Sequence, residues 1–182
     1  AMSVPVLTFF NNKGGVGKTS LVFHLSWMLS KIGVNVVAVD LDPQANLTSA
    51  FLSEEHLEEL WNDDLGINGP DTIFKCLLPL IETGDILMPK AIEIRSNLHL
   101  IAGDLGLAGY EDTLSRAWLE AMDSRNQFRP MRILSSFWQV AQMTAAQYKA
   151  NLIIADVGPN LGAINRSALI ATDHIVIPLA AD

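Results

Sequence analysis

The sequence predicts an α/β fold in which a mostly parallel β-sheet is covered by helices on both faces. Short, continuously apolar segments such as residues 36–39 and 152–155 alternate with segments of helical periodicity. Uninterrupted apolar strands are typical of parallel sheets that are buried on both faces. In addition, a glycine-containing loop at residues 11–20, NNKGGVGKTS, joins the first apolar segment to the first helix. Strand, loop and helix in this order are the unit from which such sheets are built.

The elements follow one another along the chain. Residues 4–10 predict the first strand, and the helix over 19–32 repeats apolar residues at helical spacing until Gly33 ends it. Further strands are predicted at residues 36–39, 98–102, 152–155 and 175–178. A helix is predicted over 72–82, within an otherwise less regular stretch from 53 to 90.

A single long amphipathic helix is predicted over residues 130–148. Pro130 suits the first turn of a helix. The apolar stripe of this helix consists of Leu134, Phe137, Ala141, Ala145 and Tyr148, and we expect these residues to lie in the core.

The composition indicates one globular domain over residues 1–182. Hydrophobic residues make up 49% of the chain and charged residues 18%, which provides for a substantial core at this length. The apolar runs are shorter than the roughly 20 residues that a membrane helix needs, and no secretion signal is recognisable. We therefore expect a cytoplasmic protein. The one cysteine, Cys76, excludes an internal disulfide and is expected to be buried.

The net charge of −8 argues against strong DNA binding by these residues. Affinity for nucleic acid comes largely from cations that neutralise phosphates. Arg125, Arg129 and Arg132 are the candidate basic cluster, but they are sparse, and a solvated helix end explains them. Any nonspecific DNA binding would therefore need a local basic patch or residues beyond this chain.

The loop at residues 11–20 has the composition of a phosphate-binding loop. Glycines in a tight turn let backbone N–H groups converge on phosphate oxygens at a helix N-terminus. Lys18 would reach the β- and γ-phosphates, and the Thr19 hydroxyl would bind Mg²⁺. The predicted nucleotide-binding set is Asn12, Lys13, Gly14, Gly15, Val16, Gly17, Lys18, Thr19 and Ser20.

Three aspartates follow predicted strands. Asp40 and Asp42 lie where the second strand ends, and Asp156 ends the strand at 152–155. Carboxylates at this edge of a sheet can order an attacking water or bind Mg²⁺ through water. Asp40 could instead cap the turn that follows it.

Several motifs resemble the ParA/MinD family of partition and positioning ATPases. In KGGVGKT, Lys13 precedes the glycines and Asn12 stands where the general P-loop pattern has glycine, which resembles that family's deviant Walker A motif. Residues 36–49, VVAVDLDPQANLTS, are similar to its first switch. Residues 157–162, VGPNLG, are similar to its second switch, with glycine in place of a proline, and residues 98–114, LHLIAGDLGLAGYEDTL, to the segment between the switches.

The resemblance implies a ParA-type ATPase. Such a protein binds ATP and Mg²⁺, forms a homodimer around them, and hydrolyses ATP slowly, with stimulation by a partner, to partition or position DNA or another large cargo. It implies catalytic roles for Lys18, for Lys13 toward the partner subunit's phosphates, and for Asp42 in positioning water. Thr19, Asp156 and, through water, Asp40 would hold Mg²⁺. A ParB-like adaptor and a nucleoid-associated location are further expectations.

Other functions remain open. A MinD-like membrane-positioning ATPase would need a C-terminal amphipathic helix, which these residues lack. The nitrogenase iron protein would need cluster cysteines, whereas an ATP-dependent amidating synthase would not. A nucleotide-gated interaction module with little hydrolysis is disfavoured by the retained lysine and aspartates. Family members continue beyond the last predicted strand, so we expect this chain to be truncated and to leave an apolar sheet edge uncovered.

Overall fold

A six-stranded, mostly parallel sheet forms the centre of the molecule. The computed structural model describes residues 2–11, 13, 17–63, 69–123 and 125–179. The strands are β1 (Val6–Phe9), β2 (Val36–Asp40), β3 (Ile92–Arg95), β4 (Leu98–Ile101), β5 (Leu152–Asp156) and β6 (His174–Val176). Their order in the sheet is β3-β4-β2-β5-β1-β6, and β3 alone pairs antiparallel to its neighbour. The predicted α/β fold class is confirmed.

Helices cover both faces of this sheet in the part of the chain that the structure describes. They are α1 (Lys18–Lys31), α2 (Asn46–Phe51), α3 (Glu54–Asn62), α4 (Ile73–Glu82), α5 (Leu107–Ala121), α6 (Phe128–Leu134), α7 (Ser136–Gln147) and α8 (Ala163–Ile170). None of these described helices is long and apolar enough to span a membrane.

The core has two parts, one on each face of the sheet. Alternate residues of β2 show the division, since Val37 and Val39 pack on the side of α4, α5, α7 and α8, while Val36 and Ala38 pack on the side of α1 and α2. Every residue of β2 is buried. This burial on both faces explains the uninterrupted apolar run in the sequence.

The predicted single helix over residues 130–148 is wrong, because the chain forms two helices that meet at Ser135. The Gln139 amide donates hydrogen bonds to the Arg132 carbonyl (3.1 Å) and to the Ser135 hydroxyl (2.8 Å). Side-chain bonds of this kind compete with regular helix geometry. The predicted stripe is nevertheless buried from Leu134 to Ala145, whereas Tyr148 follows α7 and stacks on His99.

Strand β3 was not predicted from the sequence. It is short, its register shifts between Glu93 and Arg95, and its residues are only partly buried or exposed. At the opposite edge of the sheet, Ile175 of β6 is 51% exposed. Cys76 is buried as expected, and burial raises its pKa to about 12.

Candidate phosphate-binding site

The register of the central strands brings the predicted site residues together at the carboxyl ends of these strands. β5 lies between β1 and β2, and Asp156 is paired with Asp40 on one side and with Phe9 on the other. The chain leaves β1 here toward the loop that precedes α1. Because parallel strands end at the same edge, segments far apart in sequence meet at this point.

Helix α1 begins directly after a left-handed residue. Gly17 has φ 76° and ψ 14°, a conformation that glycine adopts without the steric penalty of a Cβ atom. The first turn of α1 contains no acidic residue, and its N-cap, Gly17, has no side chain that could accept a hydrogen bond from the N–H groups of that turn. A helix N-terminus of this kind can offer its N–H groups to an anion. Asn12, Gly14, Gly15 and Val16, predicted to bind nucleotide, lie outside the described residues.

Lys18, Thr19 and Asp156 form one contact. The Lys18 ammonium donates to Asp156 Oδ1, and the Thr19 hydroxyl donates to Asp156 Oδ2 at 2.9 Å. Asp156 is fully buried and Lys18 is 8% exposed. Burial raises the pKa of Asp156, and the neighbouring Lys18 charge opposes that rise. Three residues that were predicted from two distant motifs are thus in direct contact.

Asp40 is held by donors from its own segment. Its Oδ2 accepts hydrogen bonds from the Thr48 hydroxyl (2.7 Å) and the Thr48 N–H (2.9 Å), and its Oδ1 accepts from the Asp42 N–H (3.1 Å). Burial, together with the nearby Asp156, raises the Asp40 pKa to about 7 against the effect of these bonds. The turn-capping interpretation of Asp40 agrees with this geometry, since both oxygens bind the turn and the helix that follow.

Asp42 lies where the two predicted switches meet. It is 4% exposed, and its Oδ1 accepts a hydrogen bond from the Gln44 N–H at 2.9 Å. A Cβ atom added to Gly158 would lie 3.1 Å from that oxygen. The glycine that stands in place of the family's proline therefore allows the second switch to pack closely against Asp42.

Lys13 differs from Lys18 in its surroundings. Its side chain is exposed, while its backbone N–H donates to Asn11 Oδ1 at 2.8 Å. The Asn11 amide in turn donates to the Pro178 carbonyl at 2.5 Å, beyond the end of β6. Asn11 was missed in the sequence because its partner lies 167 residues away. The only available signal was a polar residue immediately after an apolar strand.

Thr48 was also not predicted as a site residue. Its hydroxyl donates to Asp40 and accepts a hydrogen bond from the Gly103 N–H at 2.7 Å. Thr48 thereby connects the first switch to the segment that follows β4. Its position in the motif DLDPQANLT was visible, but its partner at residue 103 was not.

The oxygens at this edge suit Mg²⁺. The carboxylate of Asp156 and the hydroxyl of Thr19 are adjacent, and both are hard oxygen ligands. Within the described residues, no group of three or more His, Cys, Asp or Glu side chains could hold a metal by itself. Mg²⁺ usually combines one or two protein ligands with phosphates and water.

Comparisons with known proteins indicate the family of this chain. The family described as AAA domain matches residues 4–182. The probable plasmid-partitioning protein ParA of Thermus thermophilus is 30% identical over 174 residues, which are 96% of this chain and 44% of that protein.

Solved structures share the fold. Protein DIP2308 of Corynebacterium diphtheriae matches with a TM-score of 0.86 and 31% identity, over 98% of this chain and 60% of its own. Cobyrinic acid a,c-diamide synthase of Mycobacterium smegmatis, solved with an ATP analog and magnesium, matches with a TM-score of 0.68 and 25% identity, over 97% of this chain and 60% of its own. The chain thus spans between 44% and 60% of the length of these proteins.

Proposed function

The chain belongs to the AAA domain family, as a P-loop ATPase of the ParA/MinD type, and from this premise we propose that it is a ParA-type partition ATPase. In this proposal the protein binds Mg-ATP, dimerises around it, and hydrolyses it to partition or position DNA or another large cargo. The similarity to a probable plasmid-partitioning protein supports the proposal that the cargo is DNA or another large assembly. The similarity to a synthase solved with an ATP analog and magnesium supports the proposal that the ligands are ATP and Mg²⁺.

The observation that carries the proposal is the shared contact of Lys18 and Thr19 with Asp156. A buried ammonium needs a negative partner, and here that partner is a carboxylate. The phosphates of a nucleotide offer Lys18 more negative charge than Asp156 does. Transfer of Lys18 to the phosphates would free Asp156 to act with Thr19 toward a metal. Mg²⁺ at this place would neutralise charge that develops on the phosphates during hydrolysis.

Asp42 is the residue that we assign to the attacking water. It is a carboxylate at the edge where the phosphates would lie, and it is in contact range of the second switch at Gly158. A carboxylate so placed can orient a water and accept its proton. Movement of either switch would change the position of the Asp42 carboxylate. A partner that moves a switch could therefore alter the rate of hydrolysis.

Lys13 supports the dimeric part of the proposal. Lys18 is buried against Asp156, whereas the Lys13 side chain is exposed and its backbone is held by Asn11. A second lysine in the loop, directed to solvent, is suited to phosphates that a second subunit holds.

Sedimentation and phosphate release test the proposal on the full-length protein. With the hydrolysis-blocking variant Asp42→Ala, we expect Mg-ATP to produce a dimer, and we expect Lys13→Ala in the same background to bind ATP but remain monomeric. Wild-type phosphate release should rise when duplex DNA and the cognate adaptor are added. Equal dimerisation of the Lys13→Ala form would contradict the role toward the second subunit, and absence of phosphate release under all conditions would contradict the ATPase.

A further inference from the structure

Helix α8 begins directly after the second switch, but its own sequence does not cap it. Its N-cap residue, Gly162, has no side chain to accept a hydrogen bond, and its first turn contains no acidic residue. The carboxylate of Glu111, on α5, supplies the cap instead. Its two oxygens accept hydrogen bonds from the N–H groups of Ala163 and Ile164, the latter at 2.9 Å. A carboxylate at a helix N-terminus both satisfies these donors and interacts favourably with the helix dipole.

Gly162 and Glu111 fit each other sterically. A Cβ atom added to Gly162 would lie 2.5 Å from Glu111 Oε1 and 3.1 Å from Asn160 Oδ1. The backbone angles of Gly162, φ −70° and ψ −177°, are open to any residue. A side chain at position 162 would therefore push the flexible Glu111 carboxylate away from the helix.

The second switch is fixed at both of its ends. At its start, Asp156 is bound by Lys18 and Thr19. Within the switch, the buried Asn165 amide donates to the carbonyls of Gly158 and Asn160, and at its end the Glu111 cap lies one residue beyond Gly162. Residues 159–161 between these anchors are exposed. The position of this short exposed segment thus depends on where its two anchors are.

We propose that Glu111 is a positioning residue for the second switch. By capping α8 it fixes residues 157–162 relative to α5, and through the packing of Gly158 it sets the position of the Asp42 carboxylate. The effect of Glu111 on turnover rests on the proposed ATPase function, whereas its effect on the loop does not. This assigns a role to Glu111 in the stretch LAGYEDTL, which the phosphate site leaves unexplained.

Two independent variants test the cap, each with a matched control. Glu111→Gln removes one acceptor oxygen. Gly162→Ala keeps the charged Glu111 carboxylate but moves it away from the helix. The controls are Glu120→Gln, an exposed acid on the same helix, and Gly109→Ala, where an added Cβ meets nothing within 4 Å. The double variant Glu111→Gln with Gly162→Ala should add little to either change, because both remove the same contact.

Hydrogen exchange of the full-length protein without nucleotide measures the loop directly. We expect exchange at the amides of Ala163 and Ile164 to rise between about twofold and thirtyfold in both variants, the range that loss of a helix cap produces. We also expect the increase to extend into residues 157–162. Unchanged exchange overturns the cap, and an increase confined to Ala163 and Ile164 overturns the positioning role. This measurement remains decisive even if the wild type releases no phosphate, a result that would refute the ATPase alone.

Steady-state kinetics provide the second readout. We expect both variants to lower kcat several-fold with KM for ATP within about twofold of the wild type, since the phosphate loop is untouched and only the switch is displaced. The controls should match the wild type. If kcat is unchanged in a hydrolysing enzyme, or if KM rises in step with any loss of kcat, Glu111 does not position the switch.

Discussion

The two switches differ in where their hydrogen-bond partners come from. In the first switch, Asp40 is bound by Asp42 and Thr48, which lie two and eight residues further along the chain. Asp156, which directly precedes the second switch, is bound by Lys18 and Thr19, which are 138 and 137 residues away. Both aspartates are fully buried and are paired across neighbouring strands. The same chemical group is thus fixed locally in one switch and by distant elements in the other.

This difference separates a structural carboxylate from one that can exchange partners. The donors on Asp40 belong to the turn and helix it organises, so removing them would unfold part of the first switch. The donors on Asp156 belong to the phosphate loop and would gain other partners when a nucleotide binds. We expect substitutions in the first switch to affect folding, and substitutions at the contact of Lys18 with Asp156 to affect nucleotide binding. Asp42 is the exception in the first switch, because it lies against the second switch.

Asp42→Ala should give the largest effect. We expect a fall in ATP turnover of about a hundredfold or more, because a group that orients water and accepts its proton contributes roughly 10²–10⁴-fold. Mg-ATP binding should persist, since Lys18 and Thr19 remain. Single-turnover phosphate release and calorimetry measure the two quantities separately. Turnover at the wild-type rate would show that Asp42 belongs to the structural part of the first switch, as Asp40 does.

Lys18→Ala should come next. Loss of one charge-assisted hydrogen bond costs roughly 1.5–3 kcal/mol, so ATP affinity should fall about tenfold to a hundredfold. Calorimetric titration with ATP and Mg²⁺ measures this, with Lys31→Ala at the other end of α1 as the control. Unchanged affinity for ATP would mean that Lys18 has only a structural role, like the partners of Asp40. The proposed difference between the two switches would then be wrong.

Thr48→Val should act on stability. Valine has nearly the same shape, but it leaves Asp40 without one donor and the buried Gly103 N–H without its acceptor. An unpaired buried polar group costs about 1–3 kcal/mol. Urea unfolding should show a loss of this order, while Ser49→Ala, on the exposed side of the same helix, should lie within about 0.5 kcal/mol of the wild type. Equal stability of the two variants would refute the structural role of the Asp40 contact.

A further prediction concerns the pH dependence of stability. Asp40 has a pKa of about 7 in the folded chain and an ordinary value of 3.8. Between these values the folded state binds more protons than the unfolded state, so this group makes stability fall as pH rises from about 4 to about 7. Asp40→Asn should flatten that part of the profile, leaving the weaker background from Asp156. Melting temperatures from pH 4.5 to 8 measure it, and parallel profiles would contradict the raised pKa.

The sequence was informative where the partners are local or where a motif is compact. Gly17, Lys18 and Thr19 lie together in one motif. Asp156 ends an apolar strand and Asp42 follows another by two residues, so the end of the sheet at which they lie could be predicted. The strands near the site were predicted for the same reason, since burial on both faces leaves a continuous apolar run.

Contacts between distant elements could not be predicted. Asn11 depends on a carbonyl at Pro178, and Glu111 depends on amides more than 50 residues away. Nothing in the local pattern distinguishes these polar residues from solvated ones. The break at Ser135 was missed for a related reason, because apolar periodicity continues across it and only the bonds of Gln139 mark the change. Strand β3 carries too few buried residues to give a clear signal.

The Thr48 hydroxyl has one proton, and its two contacts determine where that proton points. The Gly103 N–H can only donate, so the hydroxyl receives that bond on a lone pair and directs its own proton to Asp40. Position 48 therefore requires a short side chain that donates and accepts through one atom. Serine meets this requirement as threonine does, at the loss of one methyl group. Alanine and valine lack the hydroxyl, and asparagine divides its donor and acceptor between two atoms. The range of residues tolerated at this buried position is set by the direction of one O–H bond.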